Sequence, residues 1–210
     1  MLPEGFPPRS TVQDYFYLWR DDGTWQRVDH CLVMQVREAE GREASPTAGV
    51  IDSQSVKTTE SGGISGYDAG KKIKGRQRHI FTDTAGSLVT AHVHSAGIQD
   101  RDGGPDLLAS IAGSYPRLRN VFADGAYAGG KPRGALGKIG KWTMEIVKRP
   151  DTTQGFKVLH RRWVVEGTFA WLRRNCRLAK DFEATIASAL AWLFIAHIRL
   201  LTRQLAKHSF

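Results

Sequence analysis

Apolar positions recur at helical spacing from about Ser10 to Arg20, and again through WQRVDHCLVMQVREAEG, where Thr24 suits an N-cap and Gly41 a stop. Beyond the loop GREASPTA, Val50 and Ile51 predict a short buried strand with Asp52 beside it. ESGGISGYDAGKKIKGRQRH is too rich in glycine for a helix and predicts a loop or hairpin. Two strands then turn at DTAG within HIFTDTAGSLVTAHVHSAG, the second arm alternating apolar and polar residues. The remaining pattern predicts a helix from about Pro105 to Gly113, a strand in LRNVFADG, a short helix over residues 131–140 and a strand in WTMEIVKR. From about His160 the chain reads as helix almost to its end, broken near KDFEAT.

Three early strands in a meander, followed by alternating helix and strand, predict an α/β fold. The order is that of a ribonuclease-H-like mixed sheet with flanking helices, preceded by a short helical segment. The division expected is a helical N-terminal segment over residues 1–45 and the ribonuclease-H-like domain over 46–210. Hydrophobic and charged contents of 41% and 24% exclude wholesale disorder. A formal net charge of +9 favours polyanionic partners, nucleic acid ahead of anionic membrane. Cys31 and Cys176 lie far apart and near no histidine cluster of zinc-ligand spacing, so reduced core thiols of a cytosolic protein are expected. The start MLPEGFPPRS has neither the basic region nor the apolar run of a signal peptide. The apolar stretch 186–201 falls short of the roughly 18 to 20 residues a span requires and carries His197 and Arg199, which predicts a buried or amphipathic helix.

Asp124, in VFADGAYAGG, stands where an apolar strand gives way to a glycine turn. An Asp there ordinarily serves the turn by local hydrogen bonds, yet α/β folds also present ligand-binding side chains at such strand ends. Asp52 lies on or just after the first strand, which neighbours the Asp124 strand in the proposed order. A third acid, Glu166, sits in HRRWVVEGTFAWLRRNCRLAK, with Arg162 and Arg173 within about 40° of it on a helical wheel. Val165, Phe169, Leu172 and Cys176 form an apolar stripe about a quarter turn away. Pairing with Arg162 is the ordinary role for such a Glu. Three gathered carboxylates repel one another, and a cation between them relieves the repulsion. Hard divalent ions take carboxylate and phosphate oxygens together, and two of them about 4 Å apart serve phosphodiester cleavage.

The motifs VIDSQSVKTTESGG, GYDAGKKIKGRQRHIFTDT, QDRDGG, FADGAYAG and RRWVVEGTFAWLRRNCRLAKDFE together resemble DDE transposases of bacterial insertion sequences, in particular the insertion sequence five family. The resemblance runs from about Ser10 to the C-terminus. It implies that Asp52, Asp124 and Glu166 are catalytic and hold two divalent metal ions, magnesium or manganese. Arg162 and Arg173 match the basic residues that such enzymes carry before and after the Glu. The activity implied is cleavage of phosphodiester bonds at an element's ends and joining of the 3′-hydroxyl to target DNA. The partners implied are terminal inverted repeats and target DNA, bound by a homo-oligomer with no membrane involvement, in the bacterial cytoplasm at the nucleoid. Two departures stand out: Gly167 follows the Glu where the family usually carries Arg, and the start resembles the interior of the family's N-terminal region, which implies a missing upstream portion. A truncated, non-catalytic DNA-binding relic or inhibitor of a full-length transposase is the alternative. A nuclease of the same fold without strand transfer is a third reading.

Lys71, Lys72, Lys74, Arg76 and Arg78, with Tyr67 nearby, are expected to track a DNA backbone or stack on an exposed base, the ordinary alternative being a solvated basic loop. Arg177 is placed among the DNA contacts as well. His79, His92 and His94 share their spacing with no carboxylate or cysteine, so exposed strand residues are expected there. Asp83 is assigned to the hairpin turn, Asp100 and Asp102 to a cap or turn before the next helix, and Trp163 and Trp171 to the core.

Overall fold

The computed structural model describes residues 4–60, 63–139, 142–147 and 160–208. Helices α1 (Arg9–Asp21) and α2 (Thr24–Ala39) meet at Gly23, whose φ of 75° is one that glycine adopts readily. Thr24 is therefore the first helical residue and not the cap, and its N–H is taken by Asp22 Oδ1 at 2.8 Å. Strand β1 (Ala48–Lys57) runs through Asp52 and is much longer than the Val50–Ile51 core that hydrophobicity marks. The glycine-rich basic stretch is a hairpin: β2 (Gly66–Asp68) turns through Lys72 at φ 53° into β3 (Ile73–Asp83). Strand β4 (Leu88–Ser95) follows across the expected turn, where Asp83 Oδ1 accepts from the N–H groups of Ala85 and Ser87 at 2.9 Å.

Helix α3 (Asp100–Ala109) begins ahead of Pro105, with Asp100 and Asp102 in its first turn, where carboxylates suit the positive end of the helix. Then come β5 (Asn120–Ala123), a 3₁₀ turn (Gly125–Tyr127), α4 (Gly130–Ile139) and β6 (Thr143–Ile146). The continuation of that last strand into Lys148 and Arg149 lies outside the described residues. Helices α5 (His160–Arg173), α6 (Cys176–Ala179) and α7 (Ile186–His208) complete the chain, broken at the expected place.

The six strands form one mixed sheet in the order β2-β3-β1-β5-β6, with β4 also paired to β3. β1 runs antiparallel to β3 and parallel to β5, which is parallel to β6. β2 lies opposite residues 73–75 of β3 and β4 opposite residues 76–82, so the two share one edge in succession. An antiparallel meander joined through its first strand to parallel strands is the ribonuclease-H-like sheet that the element order predicts.

Alternation divides the sheet cleanly. Val50, Ile80 and Phe122 face Val165, Phe169 and Leu172 of α5 together with Leu193 and Phe194 of α7. Ile51, Phe81, Val121 and Ala123 face the opposite way, onto Leu107 and Leu108 of α3 and Leu136 of α4. Helix α7 is long and apolar enough to cross a membrane, but it carries core residues of this domain and also receives Val33 and Val36 of α2 on Leu201. It packs as a core helix.

Candidate active site

Strand pairing alone sets two of the three acids side by side. β1 pairs β5 through Val50↔Phe122, and carrying that register on by one pleat brings Asp124 level with Asp52. Each lies two residues beyond an apolar partner that faces α5, so both carboxylates turn toward that helix. Asp52 Oδ1 accepts from the Ser53 N–H at 2.7 Å. Its carboxyl is pushed up to about 6, by burial first and also by the charge of Asp124, while the Ser53 N–H, Arg162 and Lys71 pull the other way. Asp124 caps the 3₁₀ turn, Oδ1 accepting from the Ala126 N–H at 2.9 Å. The turn-forming role and the site role coexist, because Oδ2 remains directed at the site.

Helix α5 brings the third acid. With Val165, Phe169 and Leu172 buried against the sheet, Glu166 emerges at the cleft edge, its side chain 48% exposed. The Arg162 guanidinium stands between the acids, Nη2 lying 3.6 Å from Glu166 Oε1 and 4.0 Å from Asp124 Oδ2. The ordinary i,i+4 pair is therefore present, and it extends to Asp124. Asp52, Ser53, Lys71, Glu166 and Arg173 line one shallow cleft. Among the described residues no three acid, histidine or cysteine side chains stand close enough to hold one metal ion, and the cation between Asp124 and Glu166 is Arg162. The donor set still fits a hard divalent ion, since all three acids offer carboxylate oxygens, the ligands such ions take.

Residues 43–201 match the family described as the transposase DDE domain. The chain belongs to that family. A candidate transposase for insertion sequence element IS402 of Burkholderia cepacia is 31% identical over 116 residues, which cover 52% of this chain and 54% of that protein. The chain thus spans about half the length of this relative. The catalytic domain of Mos1 mariner transposase aligns over 99% of this chain and 96% of its own at 11% identity, with a TM-score of 0.42.

The basic residues of this DDE domain divide into three groups. Lys72 and Lys74 are exposed, and Lys74 pairs across the hairpin with Tyr67, itself 57% exposed, so the aromatic and the cation share a face. Arg76 and Arg78 are not on the surface at all. Arg76 is fully buried, donating to Ile64 O at 2.8 Å, Glu183 O at 2.8 Å, Ala184 O at 3.1 Å and Asp181 Oδ1 at 3.1 Å. Arg78 donates to Leu178 O at 2.7 Å and Lys180 O at 3.2 Å. Both expected DNA contacts are structural clamps that tie the α6–α7 connection to β3. Arg177 lies on a separate groove with α1 and α7, paired with Glu183 at 2.6 Å and stacked over Trp192 at 4.7 Å.

Other expectations are corrected. Trp163 and Trp171 are 56% and 44% exposed because neither falls on the Val165–Phe169–Leu172 stripe. Cys31 and Cys176 are exposed free thiols, Cys176 lying beyond the end of α5. His79 and His94 are buried, their rings 4.7 Å apart beneath α3. Gly103 and Gly104 make that approach possible: a Cβ would stand 2.6 Å from His94 Nε2 at the first and 2.8 Å from the Tyr127 ring at the second. Burial first, then His94 and His92, lowers His79 to about 3, so it stays neutral with Nδ1 3.0 Å from the Tyr127 hydroxyl. The glycines of QDRDGG thus have a packing reason. At Gly167 a Cβ meets nothing within 4 Å, so that position has room for a larger side chain.

Sequence reasoning missed the residues just behind Asp52. Ser53 Oγ donates to Asp100 Oδ1 at 2.5 Å, and Gln77 Nε2 donates to both. Period-two alternation puts Ser53, Ser55, Gln77 and His79 on one face and was available as a signal. The arrival of Asp100 from α3 was not.

Proposed function

We propose that this chain carries the catalytic domain of a bacterial insertion-sequence transposase of the insertion sequence five group, over residues 46–210, with the helices of residues 1–45 as part of a DNA-binding region. Its substrate is DNA: the ends of an element and a target duplex, engaged by a homo-oligomer in the bacterial cytoplasm. The single observation that carries this reading is the register of β1 and β5, whose continuation by two residues would set Asp124 beside Asp52 on the face packed against α5, the helix of Glu166. Membership of the transposase DDE domain family supports it.

Asp52, Asp124 and Glu166 would hold two divalent ions, magnesium or manganese. Such a pair, when bound, activates an attacking water or hydroxyl and stabilises the leaving oxygen of an in-line displacement. The chain's own residues do the rest. Asp52, ionised above about pH 6, brings its negative charge to the site at neutral pH. Arg162, within 4.0 Å of both Asp124 and Glu166, would be available to a phosphate oxygen once those acids held a metal ion. Arg173 lines the same cleft, where its charge would stabilise the charge developing on a scissile phosphate. Tyr67, Lys72 and Lys74 form an outer track for the backbone.

Nicking of supercoiled plasmid in manganese tests this without knowledge of the element's ends. The parent is expected to nick, and Asp124→Asn to lose nicking by about 100-fold or more while binding DNA as well or more tightly, because a charge that repels phosphate is gone. Equal nicking by both proteins would refute the role of Asp124.

A further inference from the structure

Lys71 belongs to the reaction cleft and not to the outer track, and its surroundings explain why. It lines the cleft with Asp52, Glu166 and Arg173. Its Nζ donates to Ser53 Oγ at 3.2 Å, and the N–H of that same serine holds Asp52 Oδ1 at 2.7 Å. The Ser53 hydroxyl donates to Asp100 and accepts from Lys71 and Gln77, with the Tyr127 hydroxyl also against it. It is therefore a fixed anchor. Asp100 Oδ2 and Asp68 Oδ2 flank the ammonium at 3.8 and 3.9 Å, near enough to attract it and too far to hydrogen-bond. Asp68 is itself locked by Ser55 Oγ at 2.6 Å and by the Lys71 N–H at 2.9 Å.

An ammonium carries three donors. Among the described residues Nζ spends one on Ser53, so a charge held in place from two sides keeps donors for an incoming oxygen. Arg162 lies within 4.0 Å of Asp124 and Glu166, and Lys71 is held at Ser53, the residue next to Asp52. A strand crossing the carboxylates would meet both cations.

We infer that Lys71 is a phosphate-contacting residue of the catalytic cleft, and that Asp100 is a positioning residue that holds it there through Ser53. The inference rests on the reading of the cleft as a DNA-cleaving site. It separates Lys71 from Lys72 and Lys74, which follow it in the chain and face outward.

The test is single-turnover nicking of supercoiled plasmid in manganese at saturating protein. Lys71→Met is expected to slow nicking of bound DNA on the order of 10- to 100-fold, and Lys71→Arg to recover part of the loss. Asp100→Asn should slow it less, and the double variant Lys71→Met with Asp100→Asn should be no slower than Lys71→Met alone, because the aspartate acts through the lysine. Additive losses would make Asp100 merely structural. Unchanged nicking by Lys71→Met would overturn the assignment of the lysine. A second measurement does not depend on cleavage: acetylation of lysines read by mass spectrometry, with and without a 20-base-pair duplex in calcium. Lys71 should be protected by the duplex in the parent and lose that protection in Asp100→Asn. Equal acetylation of Lys71 with and without DNA overturns the inference, whereas failure of the parent to nick counts against the cleaving site itself.

Discussion

Five cations within KKIKGRQRH meet opposite fates. Lys71, Lys72 and Lys74 stay at the surface, whereas Arg76 and Arg78 are buried on the same strand face as Lys74. The difference lies in what covers them. The segment from Leu178 to Thr185 lies over Arg76 and Arg78 and supplies carbonyl oxygens and Asp181, and Lys74 lies opposite Tyr67 instead. Charge density along a sequence therefore does not identify a nucleic-acid surface; the cover over each charge decides. Arginine suits the covered positions because its planar fork satisfies several carbonyls at once.

Breaking the covered set should give the largest effect. Arg76→Ala leaves Asp181 buried without its cation and orphans the carbonyls of Ile64, Glu183 and Ala184, so urea unfolding is expected to show a loss of about 3–5 kcal/mol. A loss under about 1 kcal/mol would mean that the clamp contributes little. Asp52 sharpens the contrast, because it is half-buried and Arg162 and Lys71 offset only part of what burial and Asp124 do to it. Its pKa of about 6 in the folded protein exceeds its ordinary value, so stability without metal falls as pH rises from about 4 to 6. Asp52→Asn should remove that fall and stabilise the metal-free protein at pH 7 by about 1–3 kcal/mol, read from unfolding across pH. One neutralised charge destabilises the fold and the other stabilises it. The exposed set should leave stability alone: Lys72→Ala with Lys74→Ala is expected to stay within about 0.5 kcal/mol of the parent. It should weaken binding to any DNA sequence and flatten the salt dependence by about 0.9 of a unit for each phosphate no longer neutralised. An unaltered salt slope would remove these lysines from the interface.

The fold, and the elements on which Asp52, Asp124 and Glu166 stand, were legible in the sequence for local reasons. The strand that carries Asp52, the strand end before Asp124 and the Glu166 helix follow from apolar runs, a glycine turn and a 3.6-residue stripe, all encoded within a few neighbouring residues. What escaped were contacts set by distant segments. Arg76 meets Asp181 from 105 residues away, and Asp100 reaches Ser53 across 47. The length of β1 was hidden because polar residues at Asp52, Ser53 and Gln54 dilute its apolar signal where the strand becomes a site. His79 and His94 look exposed in the sequence for a similar reason. Their cover is α3, whose glycines admit it.

Asp52, Asp124 and Glu166 are expected to act together on divalent cations. Manganese titration of the purified protein, followed by the free-ion signal in electron paramagnetic resonance, measures this with no DNA and no turnover. Saturable binding by the parent is expected, weakened about tenfold or more by Asp52→Asn, by Asp124→Asn and by Glu166→Gln alike. Binding by all three variants that is indistinguishable from the parent would contradict it.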